Sequence, residues 1–219
     1  MDLKTLRDML LNYDVEGIKN VINKALESGL DPLQLIEKLT EEIRTIGDLF
    51  EKNQIFLTEL MLAAESMKIA ISLVEPKIRQ NEQKRSFIGK VLIGTVEGDI
   101  HDIGKNIVAT LLSVNGFEVI DLGVDVPTSR FIQKAKEIKP DIIAISALLT
   151  ATMPKMKEVI DALKKEGLRN KVKVIVGGAP VTERWAMEIG ADAYGANAVE
   201  AVKVAKKLLS SYKVDASSF

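Results

Sequence analysis

The amino-acid sequence predicts a chain in two parts: a helical bundle over residues 1–86 and an α/β domain with a five-stranded parallel sheet over residues 87–219. Three observations predict it. Apolar residues in the first part recur at spacings of three and four, the period of a helix face. From Phe87 onward, short β-rich runs alternate with helical stretches. Between the two, "RQNEQKRS" (79–86) is polar and charged and reads as an interdomain linker.

The helical part divides into four. "MDLKTLRDMLLNYDVEG" begins helical in pattern, and Asp14 is placed to cap a second helix running to Ser28. "SGLDP" breaks the chain with Gly29 and Pro32. The third helix carries Ile36, Leu39, Ile43, Ile46 and Phe50 on one apolar face. The fourth starts near Phe56 and carries Leu57, Leu60, Met61, Ala64, Met67, Ile71 and Val74. Four helices with short links suit a small antiparallel four-helix bundle.

In the second part, "KVLIGTV", "FEVIDLG", "DIIAISA", "KVKVIVGG" and "ADAYGA" are each followed by a helix-like segment. Unbroken apolar strands suit a parallel sheet covered on both faces. Right-handed crossovers make it doubly wound, and five strands favour the flavodoxin-like (Rossmann-like) order 2-1-3-4-5. In that order the first and third strands are neighbours whose chains leave toward opposite faces. The crevice beyond their carboxyl ends is the usual ligand position. Here the loops in question are "EGDIHDIG" and "SALLTATM", with "VGGAP" beside them after the fourth strand.

The totals exclude several functions. A net charge of −1 gives no electrostatic basis for binding nucleic acid or an anionic membrane. No run reaches the ~18 apolar residues of a membrane span, and no secretory apolar core is seen, so a soluble cytoplasmic protein is expected. Cysteine is absent and His101 is the single histidine, which leaves no protein-only zinc site and no cysteine nucleophile. No phosphate-binding glycine loop and no G-x-S-x-G elbow occurs. A receiver-type signalling domain needs an aspartate at the end of the third strand, where this chain has Ser146.

What remains is the strand-end chemistry. His101 lies between Asp99 and Asp102, before a helix whose apolar face is Ile103, Ile107 and Leu111. Asp99 is placed to accept a hydrogen bond from one ring nitrogen, which fixes the tautomer and leaves the other nitrogen as a metal ligand. Gly104 lets a flat ligand or another backbone approach. A structural reading stands beside this one: a surface histidine, Asp102 as an N-cap and Gly104 as slack at a helix start. "SALLTATM" supplies the hydroxyls of Ser146, Thr150 and Thr152, and Thr152 also suits an N-cap ahead of Met153–Pro154. Gly177–Pro180 is either a tight turn or a passage for a long ligand tail. Phe56, Leu57 and Leu60, at helical spacing, suit the bundle core, and Phe50 and Phe56 flank "EKNQI" at a helix–helix corner.

Taken together, D-x-H-x-x-G (Asp99, His101, Gly104), S-x-L (Ser146, Leu148) and G-G (Gly177, Gly178) resemble the cobalamin-binding signature, complete in residue type, order and spacing. "GDLFEKNQIFLTELMLAA" (47–64) is similar to the cap module that precedes the cobalamin domain in methionine synthase and in small corrinoid proteins. The whole arrangement resembles the corrinoid methyl-carrier proteins of methanol and methylamine methyltransferase systems. One departure is Thr58, where that family usually has proline; a first helical turn accommodates either.

The resemblance implies cobalamin or a related corrinoid, methylcobalamin in the loaded state, bound base-off and histidine-on. It implies His101 as the lower axial ligand to cobalt, and Asp99 and Thr152 as a proton relay behind it. Asp102 and Gly104 belong to the same loop. The nucleotide tail would pass Ser146, Leu148 and Thr150 toward Gly177, Gly178 and Ala179, with Ala198 nearby. Phe50, Phe56, Leu57 and Leu60 would cover the upper corrin face, and the linker would act as the hinge that uncovers it. The implied partners are a substrate-specific methyltransferase, an acceptor methyltransferase using coenzyme M or tetrahydrofolate, and a reductive activation protein. The chain alone would then hold no complete active site.

Two other corrinoid uses stand beside that reading. A cobalamin-dependent sensor or regulator pairs similar modules with a DNA-binding domain, but residues 1–86 hold 12 Lys/Arg against 15 Asp/Glu, an acidic balance unsuited to DNA. A mutase-type subunit using adenosylcobalamin normally lacks such a cap.

Overall fold

A computed structural model describes residues 3–79 and 87–216. The chain separates into two compact units, Met1–Gln83 and Lys84–Phe219. The stretch 80–86, most of the expected linker, lies outside the described residues.

The first unit is four α-helices: α1 (Leu3–Leu11), α2 (Val15–Glu27), α3 (Pro32–Glu51) and α4 (Leu57–Arg79). Their starts follow capping chemistry. The Asp14 carboxylate accepts the Gly17 N–H, and Asp31 accepts the Leu33 N–H with Pro32 in the first turn. α4 packs against the other three. Its buried stripe is Ala63, Met67, Ala70, Val74 and Ile78. This corrects the sequence expectation in part: Met67 and Val74 are core, but Leu57 and Met61 are exposed. α4 is apolar on more than one face, and Ala63 and Ala70 let α4 approach its neighbours along the face that won. In α3, Ile36, Leu39 and Ile46 are buried as expected, while Phe50 emerges at the α3–α4 corner. The bundle also buries a charge: Glu42 on α3 accepts from Arg7 Nε on α1 at 2.6 Å.

The second unit is a five-stranded, all-parallel sheet in the order β2-β1-β3-β4-β5, as the alternating pattern predicts. Its strands are β1 (Gly89–Thr95), β2 (Phe117–Asp121), β3 (Ile142–Ser146), β4 (Lys173–Gly177) and β5 (Ala193–Gly195). The connecting helices are α5 (Ile103–Val114), α6 (Thr128–Ile138), α7 (Met153–Lys165) and α8 (Glu183–Ile189), and α9 (Ala198–Ala216) follows β5. α5 packs with α9, and α6 and α8 pack with α7, which gives one helical layer on each face of the sheet. The core on the α6–α8 side is built from Leu92, Phe131, Ile143, Met156, Ile160, Val174 and Val176.

Register decides where the special loops fall. Thr95 pairs with Ser146, Ser146 with Gly177, and Gly177 with Gly195. These four residues form one row across the carboxyl edge of the sheet. Every loop of the sequence pattern therefore leaves from the same line.

Candidate cofactor site

The site is built around Asp99, which is fully buried at a strand edge where an uncompensated carboxylate would be costly. Five donors surround it. Its Oδ1 accepts His101 Nδ1 at 2.6 Å and the His101 N–H at 3.1 Å. Its Oδ2 accepts the Leu148 N–H at 2.7 Å, the Leu149 N–H at 3.2 Å and the Thr152 hydroxyl at 2.8 Å. Burial pushes the Asp99 carboxyl up, but the bonds from the Leu148 N–H, the His101 ring, the Thr152 hydroxyl and the His101 N–H outweigh it. The carboxyl is held below the ordinary aspartate value.

An ionised carboxylate only accepts, so His101 carries its proton on Nδ1. Nε2 of the neutral ring is then a lone pair. The side chain is 46% exposed, and no hydrogen bond to Nε2 forms among the described residues. Ile100, Leu148 and Leu149, on the two loops that hold Asp99 and His101, are all exposed. At Gly104 a side chain would meet nothing within 4 Å, so the first turn of α5 opens onto free space.

Two capping expectations give way to this arrangement. Asp102 and Thr152 occupy the N-cap positions of α5 and α7, but neither side chain makes a cap bond. The Thr152 hydroxyl goes to Asp99, because the buried carboxylate is the more demanding partner. Thr95, which the sequence reading missed, is fully buried and donates its hydroxyl to the His101 carbonyl at 2.9 Å. Lys105 is likewise buried and pairs with Asp121 at the end of β2, tying the first turn of α5 to the sheet. Lysine is almost never fully buried unless paired, and here the pairing partner is distant in the sequence.

The double glycine has a structural duty. Gly178 sits at φ +130°, and a Cβ there would lie 1.8 Å from the Ala147 carbonyl oxygen. The β3 and β4 loops touch backbone to backbone at that point, so the space left by the missing side chain is filled by the chain itself. Thr150 and Ala179 are exposed, and Ala198 is half-buried at the start of α9; all three lie on the carboxyl edge. In the helical unit, Phe56 and Leu57 are 81% and 57% exposed, Phe50 is exposed and Leu60 half-buried. Phe56 and Leu57 are therefore not bundle core.

Among the described residues no group of three or more His, Asp or Glu side chains could hold a metal ion. The site offers one nitrogen, free and rigidly aimed. That fits a metal already held in a macrocycle and lacking only an axial ligand, and it fits no metal that takes all its ligands from protein.

Comparison with known proteins gives the family. Residues 89–203 match the family model of the B12 binding domain, and residues 3–75 match a second model of the same description. Trimethylamine corrinoid protein 2 of Methanosarcina acetivorans is 46% identical over 206 residues, covering 94% of this chain and 95% of the relative. The chain belongs to the B12-binding corrinoid proteins. Among solved corrinoid proteins, the monomethylamine corrinoid protein of Methanosarcina barkeri matches with a TM-score of 0.85 and 39% identity, covering 93% of this chain and 96% of the other. The methanol:cobalamin methyltransferase complex MtaBC from Methanosarcina barkeri matches with a TM-score of 0.55 and 31% identity, over 93% of this chain and 78% of the other. No helix among the described residues of this corrinoid protein is long and apolar enough to cross a membrane.

Proposed function

We propose that this protein carries methyl groups in a corrinoid-dependent methyltransferase system, with His101 Nε2 as the lower axial ligand of the cofactor's cobalt. The observation that carries this reading is the imidazole whose Nδ1 is committed to Asp99 while Nε2 stays free and exposed. The bound corrinoid supplies a cobalt centre that takes up a methyl group and hands it on. The protein's own residues hold and tune it. A neutral imidazole binds a metal and a protonated one does not. Asp99 fixes the ring's orientation and its proton, and Thr152 fixes Asp99. Ser146, Leu148, Thr150, Gly177, Gly178, Ala179 and Ala198 border the path of the nucleotide tail.

Phe50, Phe56, Leu57 and Leu60 form the cover that keeps water from the reactive face. The exposure of Phe50, Phe56 and Leu57 near one helix–helix corner supports this role, because clustered apolar surface marks an interaction site more than scattered residues do. The donor class we assign is a methylated amine, favoured by the 46% and 39% identities to the amine relatives over 31% to the methanol complex. The partners are then a substrate-specific methyltransferase, an acceptor methyltransferase using coenzyme M or tetrahydrofolate, and a reductive activation protein. The chain catalyses neither transfer by itself.

The test is reconstitution of the full chain with hydroxocobalamin, read by its visible spectrum. The wild type is expected to give a base-off, histidine-ligated spectrum and His101→Ala to lose the histidine-ligated features. An identical spectrum from both would remove His101 from the metal. Methylation of the reduced wild-type protein by a cognate methyltransferase with trimethylamine, dimethylamine or monomethylamine then tests the donor class.

A further inference from the structure

Asp99 is held from two sides. Its carboxylate is fixed by the loop after β3. Its main chain is fixed by the turn after β2, and there the decisive residue is Asp125. The contact is reciprocal: the Asp125 carboxylate accepts the Gly98 N–H at 2.7 Å, and the Asp125 N–H donates to the Asp99 carbonyl at 2.9 Å. Asp125 thus holds the two peptide groups that flank the Gly98–Asp99 peptide.

It does so at φ +51°, a left-handed conformation in which aspartate is tolerated and most side chains are not. The flanking backbone imposes that conformation. The Thr95 N–H donates to the Gly123 carbonyl at 3.0 Å, and the Val126 N–H donates to the Thr95 carbonyl at 3.0 Å, so the turn is tied to the end of β1 before and after Asp125. Asp121 adds to the tie by accepting the Gly123 N–H at 2.8 Å. Strain that persists because its surroundings over-determine it is the pattern found beside functional loops.

We infer that Asp125 is a positioning residue for the axial-ligand loop, setting the register of Asp99 and through it the aim of His101. The inference rests on the axial reading of His101, but one arm of its test does not. Asp125 is exposed, so its replacement leaves the core intact. Asp125→Ala removes the acceptor and places alanine in a left-handed conformation; Asp125→Asn keeps an acceptor oxygen and the tolerance for positive φ.

The first measurement uses the cofactor-free full chain. Amide hydrogen exchange is followed at His101 and Leu148, whose N–H groups bond to the Asp99 carboxylate and do not touch Asp125. Asp125→Ala is expected to speed exchange at both by roughly tenfold, and Asp125→Asn to stay near wild type. The second uses the protein reconstituted with hydroxocobalamin and reduced to cobalt(II). The electron paramagnetic resonance splitting from one axial nitrogen is expected to weaken in Asp125→Ala and to be retained in Asp125→Asn.

Unchanged exchange at His101 and Leu148 in Asp125→Ala would overturn the proposal. So would an Asn variant as defective as the Ala variant. If the wild type itself shows no axial nitrogen, the function assigned to His101 fails, and the exchange arm still judges Asp125.

Discussion

The loop around Asp99 and the corner between α3 and α4 treat solvent in opposite ways. At the first, a charged group is withdrawn completely and given five donors. At the second, Phe50, Phe56, Leu57 and Met61 all expose apolar surface to solvent. The first fixes the orientation of one imidazole through a carboxylate whose hydrogen bonds also stabilise the fold. The second leaves apolar area in solvent, which suits the cover role proposed for it above.

Substitutions can break this comparison, and the single tryptophan separates the two units experimentally. Trp185 packs against the sheet-unit core, so its fluorescence reports unfolding of that unit, while backbone amide exchange reports the bundle. The largest effect is expected at Gly178→Ala, where a Cβ 1.8 Å from a carbonyl oxygen forces the β3 and β4 loops apart. A loss of more than about 4 kcal/mol in the Trp185-detected transition is expected. Asp99→Ala strands the Leu148 and Leu149 N–H groups, while the Thr152 hydroxyl keeps the Leu149 carbonyl, and is expected to cost about 3 kcal/mol by the same measurement.

Acid sharpens the second of these. Folding lowers the Asp99 pKa, so the stability it contributes is present above the ordinary aspartate value of 3.8 and is lost as pH falls through the lower, folded value. Trp185-detected stability of the wild type should fall with pH below about 4, and Asp99→Asn should flatten that slope. In the bundle, Glu42→Ala leaves Arg7 half in solvent and is expected to cost about 1–2 kcal/mol by amide exchange. Phe56→Ala is expected to change bundle stability by no more than about 0.5 kcal/mol. A loss several times larger would make Phe56 a core residue and erase the contrast between the regions.

Much of this was legible in the sequence because it depends on local pattern. Continuous apolar strands, short crossovers and a signature spread over three strand ends fix the sheet order and put the site on one edge. The Asp99–His101 bond was read from the residues themselves, and the Thr152–Asp99 bond was an implication of the resemblance. What stayed hidden depends on partners distant in the chain. Nothing local says that Thr95 turns its hydroxyl toward the His101 carbonyl, that Lys105 reaches Asp121, or that Glu42 meets Arg7 across 35 residues. The buried face of α4 was misjudged for a related reason: its period allows two stripes, and only the neighbouring helices choose between them. Thr152 shows the limit of capping rules, since a residue at the right position caps nothing when a buried anion competes for its hydroxyl.

The chain contains one imidazole. Uniform nitrogen-15 labelling therefore gives a ring spectrum with only two resonances and no assignment problem. The donor held against Asp99 and the unprotonated nitrogen resonate far apart, so the tautomer can be read in the unmodified protein. Under the function proposed above, loading with the corrinoid is expected to shift both lines, that of the unprotonated nitrogen by more.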